Sequence, residues 1–160
     1  MKRLALPLLL LAGCGAPGSK CGPSKGLVDY VIDGDTIVLA GDAGTHLRLL
    51  LVDTPEITKG KNDCYGHEAA AFTTSFVTGK TVDLSYDENS CTDRYGRTLA
   101  YVKVGGVELN AELAKQGYAC FLYVKPGGEA RQDEFATYES EAKTNRVGMW
   151  GTCSLIPCSM

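Results

Sequence analysis

Arg48-Leu49-Leu50-Leu51-Val52-Asp53 puts a guanidinium at the head of a run of four aliphatic residues and a carboxylate at its end. A charged side chain is rarely carried into an apolar strand unless it has a partner, because an unpaired buried ion is too costly for a domain to hold. The fold must therefore bring acid to Arg48. Two acidic stretches can supply it: Val31-Ile32-Asp33-Gly34-Asp35-Thr36 upstream and Asp53-Thr54-Pro55-Glu56 directly after the run. Strands ending side by side would gather Asp35, Asp53 and Glu56 around Arg48. Such a cluster suits a hard cation and an anionic substrate: calcium takes about six to eight oxygen ligands in irregular geometry, and arginine offers a planar fork to phosphate. Each motif also has a plainer reading. Asp-Gly-Asp-Thr is ordinary hairpin chemistry with Gly34 at positive φ, Asp53-Thr54-Pro55 can simply end a strand, and Glu56 can open a helical turn.

The chain begins with the short positive segment Met1-Lys2-Arg3, the apolar run Leu4–Ala12, then Gly13 and Cys14. This is the layout of a signal peptide over residues 1–13, and the run is far short of the ~20 residues a membrane-spanning helix needs. Leu11-Ala12-Gly13-Cys14 also resembles a bacterial lipobox. That implies acylation at Cys14, a membrane anchor at the cell envelope and a tether over residues 14–24. The chain has seven cysteines, and setting Cys14 aside leaves an even set: Cys21, Cys64, Cys91, Cys120, Cys153 and Cys158. An even set in an exported chain points to disulfides, with fifteen possible connectivities. No Cys-x-x-Cys pair occurs, and only His46 and His67 are available, so a structural zinc site is not expected. Neither histidine is assigned a role.

Sixteen basic residues face 19 acidic ones, and removing Lys2 and Arg3 with the signal leaves a net charge of −5. A chain that held nucleic acid mainly by counterion release would be basic. Any contact with DNA or RNA must be local to the site.

Hydrophobic patterning predicts strands over Leu27–Ile32, Thr36–Ala40, Thr45–Val52, Lys80–Tyr86 and Arg97–Val104, with turns at Gly41–Gly44 and Gly105-Gly106. It predicts helices over Glu68–Val77, Val107–Gln116 and Glu129–Asn145, with Gly79 and Gly117 at two of their ends. Five short strands interrupted by a helix suit an α+β fold: a five-stranded OB-type Greek-key β-barrel with three α-helices. The domain spans residues 25–150, with residues 151–160 as a C-terminal tail. Trp150 is expected to pack on the barrel.

The two acidic segments, together with Asp93-Arg94-Tyr95-Gly96-Arg97, resemble the staphylococcal nuclease (thermonuclease) family from about Lys25 to Trp150. The resemblance implies Asp35 and Asp53 as calcium ligands, with Thr54 adding a backbone carbonyl. It implies Glu56 as the residue that orients or deprotonates water, Arg48 and Arg97 as the arginines on the scissile phosphate, and Asp33 as a carboxylate tuning the metal site. Arg94, Tyr95 and Tyr123 match substrate-binding positions. The tyrosine segment is one residue shorter than in the type enzyme, and Val124 stands near where a second tyrosine is expected. The family also implies a cis bond at Lys125-Pro126, a monomer, and a pairing of Cys64 with Cys91. Cys153 and Cys158 could close a small loop, or one of them could reach Cys21 or Cys120. The implied function is calcium-dependent hydrolysis of DNA and RNA to 3′-phosphate products. The rival readings are an inactive nuclease-like module binding nucleic acid or protein at the envelope, and an envelope scaffold with a vestigial site.

Overall fold

The computed structural model describes residues 19–41 and 46–158. The expected signal peptide, the lipidated Cys14, the first residues of the tether, most of the Gly41–Gly44 turn and Thr45 lie outside the described residues. In chain order the strands are β1 (Lys25–Asp33), β2 (Thr36–Leu39), β3 (His46–Leu49), β4 (Val52–Asp53), β5 (Thr81–Ser85), β6 (Thr98–Val104), β7 (Val107–Glu108) and β8 (Cys120–Phe121). The helices are α1 (Gly66–Val77), α2 (Leu109–Lys115), α3 (Gln132–Thr144) and the one-turn α4 (Met149–Thr152). No helix among the described residues is long and apolar enough to cross a membrane.

Alternation makes β5 a half-buried strand, with Val82 and Leu84 inward and their neighbours exposed. Register shifts between Val28 and Tyr30 and between Val31 and Asp33 bend β1. Its first half can then pair with β5 and its second half with β2. The order β3-β2-β1-β5-β6 closes on itself through a parallel pairing of β3 with β6, giving the expected five-stranded barrel of an OB-type α+β fold. Ile37, Leu47, Leu49, Val82 and Val102 fill it, and Leu109, Leu113 and Phe135 seal it from the helical side. Each such side chain stabilises the fold by about 1.5–3 kcal/mol relative to exposure.

The third strand departs from expectation. Leu49–Val52 is not one strand, because Leu51 takes φ 64° and turns the chain. A leucine in the left-handed region costs roughly 1–3 kcal/mol and persists only where its surroundings fix it. Here they do. Asn110, fully buried, donates Nδ2 to the carbonyls of Leu50 at 3.0 Å and Ala100 at 3.1 Å and accepts the Val102 N–H at 3.0 Å. Gly128 leaves room for the Leu51 side chain, which would lie 2.7 Å from a Cβ at that position. After the turn β4 pairs with β8, a two-residue strand that the sequence pattern does not show. Val107 and Glu108, expected in the second helix, instead form β7 against β6.

The cysteine pairing is also corrected. Cys64 bonds Cys153 rather than Cys91, and Cys91 bonds Cys21; of the alternatives open for the tail, Cys158 reaching Cys120 is the one that forms. Residues 19–24 run beside the 86–91 loop, which brings Cys21 to Cys91. Tyr86 donates to the Pro23 carbonyl at 2.7 Å, Ser19 to Glu88 at 2.9 Å, and the Leu84 N–H to the Ser24 carbonyl at 2.8 Å. Trp150, expected on the barrel, lies in α4 under the Lys143 ammonium of α3, 4.6 Å from the ring, and against the turn at Gly117. The Lys125-Pro126 bond is cis.

Candidate active site

Strand pairing sets the site. Thr36 of β2 and Leu99 of β6 flank Arg48 on β3, so the residue before Thr36 arrives beside the guanidinium. The Leu49 N–H, donating to the Asp35 carbonyl at 2.9 Å, fixes that register. The turn at Leu51 then brings Asp53 back to the same place. Arg48 Nη2 lies 3.1 Å from Asp35 Oδ2 and 3.0 Å from Asp53 Oδ1, with all three side chains buried. Nη1 donates to the carbonyls of Leu49 at 2.8 Å and Val52 at 2.6 Å. Arg48 thus holds the turn and both carboxylates at once.

Thr54 completes the contact with Asp35, giving its N–H at 2.8 Å and its hydroxyl at 3.1 Å to Oδ2, while Thr36 donates to Oδ1 at 3.1 Å. Gly34, free to adopt positive φ in the plain hairpin reading, does not do so and is needed for another reason: a Cβ there would stand 2.7 Å from the Thr54 side chain. Thr73 of α1 donates to the Gly34 carbonyl at 2.6 Å and pins this turn to the helix. Asp33 is buried beside Asp35 and accepts the Asp35 N–H at 3.2 Å. Burial, reinforced by the Asp35 charge, pushes the Asp33 carboxyl well above the usual carboxylate range. Two acids share one guanidinium, and a third beside them, with no contact to it among those described, carries a raised pKa.

Glu56 does not join this contact. It is half-buried three residues beyond Asp53, with Oε2 accepting from the Thr58 hydroxyl at 2.9 Å. Its backbone is locked to Asp63: the Glu56 N–H donates to Asp63 Oδ2 at 3.1 Å, and the Asp63 N–H returns to the Glu56 carbonyl at 2.9 Å. Arg97 lies directly before β6, with Nε on Asp93 Oδ2 at 2.6 Å and its guanidinium 5.5 Å from the centre of the exposed Tyr95 ring. Arg94 covers the same ring at 4.8 Å. Burial alone would raise the Asp93 carboxyl, but the Arg97 side chain and the N–H groups of Arg97 and Tyr95 hold it below its ordinary value. Tyr123 sits apart in a different field: slight desolvation, then the charges of Glu129 and Asp87, raise its hydroxyl. Val124 beside it is exposed, His46 is half-buried at the start of β3, and His67 is exposed on α1.

Sequence reasoning missed Asn110, Thr73 and Asp63, each a polar residue that holds a site segment by hydrogen bonds. A buried Asn or Thr inside a helical pattern looks like any surface residue in a sequence.

A closed barrel with an arginine and two acids meeting beside its closing strand defines an α+β domain of the OB class with a buried charged centre. Residues 46–152 match the family described as Staphylococcal nuclease homologue. The chain is 39% identical over 129 residues to an uncharacterized protein of Bacillus anthracis, covering 79% of this chain and 60% of that protein. It is 39% identical over 144 residues to Endonuclease YncB of Bacillus subtilis, covering 85% and 67%. It is 39% identical over 123 residues to the Thermonuclease of Staphylococcus hyicus, covering 75% and 72%. The chain belongs to the staphylococcal nuclease family.

Proposed function

We propose that the protein is a calcium-dependent nuclease hydrolysing DNA and RNA phosphodiesters with little sequence preference, to 3′-phosphate products. The observation that carries this reading is the convergence of Asp35, from the turn between β1 and β2, and Asp53, from β4, on one nitrogen of Arg48. Relatives named Endonuclease and Thermonuclease support it. The donor set fits a hard cation, with two buried carboxylates and the Thr54 backbone between them and Glu56. Asp35, Asp53 and the Thr54 carbonyl would hold calcium, which when bound supplies positive charge opposite the phosphate oxygens.

The chain's own residues do the rest. Both terminal nitrogens of Arg48 are engaged within the protein, so Arg48 reaches a phosphate by giving up its contacts to Asp35 and Asp53. That exchange frees the two carboxylates for a cation. Arg97 brings a second guanidinium to the dianionic transition state, and Glu56 accepts the proton of the attacking water. Tyr95, flanked by Arg94 and Arg97, offers a stacking face for a base, and Tyr123 is the second candidate. We also read the N-terminal segment as an export signal with a lipid anchor at Cys14, and the protein as an envelope-bound monomer.

The test is hydrolysis of single-stranded DNA by the oxidised full chain with millimolar calcium and with excess chelator, beside Glu56→Gln. Cleavage should need calcium, and the variant should bind calcium yet lose at least ~10² in rate. Full activity in Glu56→Gln would remove Glu56 as the base. Calcium binding without any cleavage by the parent would leave a binding module.

A further inference from the structure

Each of the three disulfides ties a segment carrying a site residue to one end of the domain. Cys120 is the partner of Asp53 in the β4–β8 ladder and is bonded to Cys158 in the tail. Cys64 follows Asp63, the residue that holds the Glu56 backbone from both sides, and is bonded to Cys153 just past α4. Cys91 accepts the Leu99 N–H at 2.9 Å, lies two residues before the Asp93 that grips Arg97, and is bonded to Cys21. Regular secondary structure contributes little to holding these segments, which otherwise rely on individual hydrogen bonds and ion pairs. The β4–β8 ladder is two residue pairs long, and residues 54–65 contain neither helix nor strand. Segments of that kind open first unless a cross-link restrains them.

We propose that oxidation assembles the catalytic centre, so that the protein is a redox-gated nuclease: active with its three disulfides formed and slow as six thiols. This rests on the nuclease reading above. Asp63 is the positioning residue through which the Cys64–Cys153 bridge acts on Glu56, and Cys120–Cys158 acts on Asp53 through the ladder. Each bridge forms by exchange with a low-molecular-weight disulfide. One cysteine thiolate attacks a sulfur of that reagent and displaces the first thiolate. The second cysteine attacks the mixed disulfide and displaces the other. Two electrons pass from the cysteine pair to the reagent, which leaves as two thiols carrying the two cysteine protons. A chain held in a reducing compartment would thus spare the nucleic acids there.

The experiment compares the full chain oxidised by such a disulfide with the same chain reduced by dithiothreitol. It records kcat and KM on single-stranded DNA, calcium affinity by calorimetry, and near-ultraviolet circular dichroism as the readout of folding. Where the reduced chain keeps its near-ultraviolet signal, kcat should fall by ~10² with little change in KM, as a misplaced catalytic group demands, and reoxidation should restore it. Cys64→Ser with Cys153→Ser should reproduce the kcat loss while keeping calcium affinity. Cys120→Ser with Cys158→Ser should instead weaken calcium binding. If reduction unfolds the chain, the oxidised Asp63→Ala variant decides: its kcat should fall similarly, and Asp63→Asn, which keeps an acceptor oxygen for the Glu56 N–H, should recover most of it. Parental kcat in the folded reduced chain, or in Asp63→Ala, overturns the proposal. An oxidised parent that cleaves nothing would instead overturn the nuclease reading.

Discussion

Two arginines in this molecule each hold two acidic residues, and they do so to opposite effect. Arg131, partly exposed, grips Glu134 through Nε and Nη2 at 2.8 and 2.9 Å and Glu108 through Nη1 at 2.8 Å, with its plane 4.6 Å from the centre of the Tyr101 ring. Glu134 responds as a well-solvated partner should: hydrogen bonding from Arg131, helped by Tyr138, holds its carboxyl at about 2. This is a fastening between β7, α3 and the barrel. Arg48 is buried, serves Asp35 and Asp53 from a single nitrogen, and has Asp33 close by with its pKa displaced upward. With the Lys103 ammonium 3.5 Å from Glu108, the first centre balances its charges where water can screen them. The second keeps an excess of acid in the dark, an arrangement that adds little to stability and suits ion and phosphate chemistry.

Replacing the two arginines should separate these roles. Arg48→Met removes the guanidinium that Asp35 and Asp53 share in a buried place, and denaturant titration should show a loss of about 3–5 kcal/mol, with cleavage down by at least ~10². A variant that melts like the parent would show that the carboxylates do not depend on Arg48. Arg131→Met should cost less, about 1–2 kcal/mol, because Glu134 can turn to water while only Glu108 loses a partner in a half-closed place. Its kcat should stay parental, and a kcat loss would make Arg131 part of the site. The smallest effect is the pH dependence of Glu134→Gln. A carboxyl lowered from 4.5 to about 2 by folding stabilises the protein above pH 4.5, and that contribution fades as pH falls toward 2. Melting curves of variant and parent should therefore differ by a few degrees at neutral pH and converge in acid; a gap that persists at pH 2 would contradict the assignment.

Much of the barrel can be read from the sequence because its strands are patterned. In β5 buried and exposed positions alternate, and the bounds expected for β1, β2 and β6 fall within two residues of those observed. The run after Arg48 carries no such signal. Leu49, Leu50, Leu51 and Val52 are all buried, so a break at Leu51 leaves no trace in their hydrophobicity. What forces the break lies far away in sequence, at Asn110 and Gly128. The same holds for β8 and for the cysteines, whose pairing depends on how residues 19–24 and 153–158 wrap the finished domain. The candidate site came from a resemblance in the order and spacing of acids and arginines. Its geometry adds what spacing cannot show: Arg48 already occupied, Glu56 set apart on its own loop, and Tyr123 among acids while Tyr95 lies among arginines.

Gly34 has one further consequence. The side chain of Thr54 fills the space where a Cβ at position 34 would be, so the gap between the two acid-bearing turns is set by a missing carbon atom. The barrel in effect carries a feeler gauge one methyl thick. An alanine there would lever Thr54 off Asp35 and widen the spacing of the carboxylates, so the distance between the two acids is written into a residue with no side chain at all.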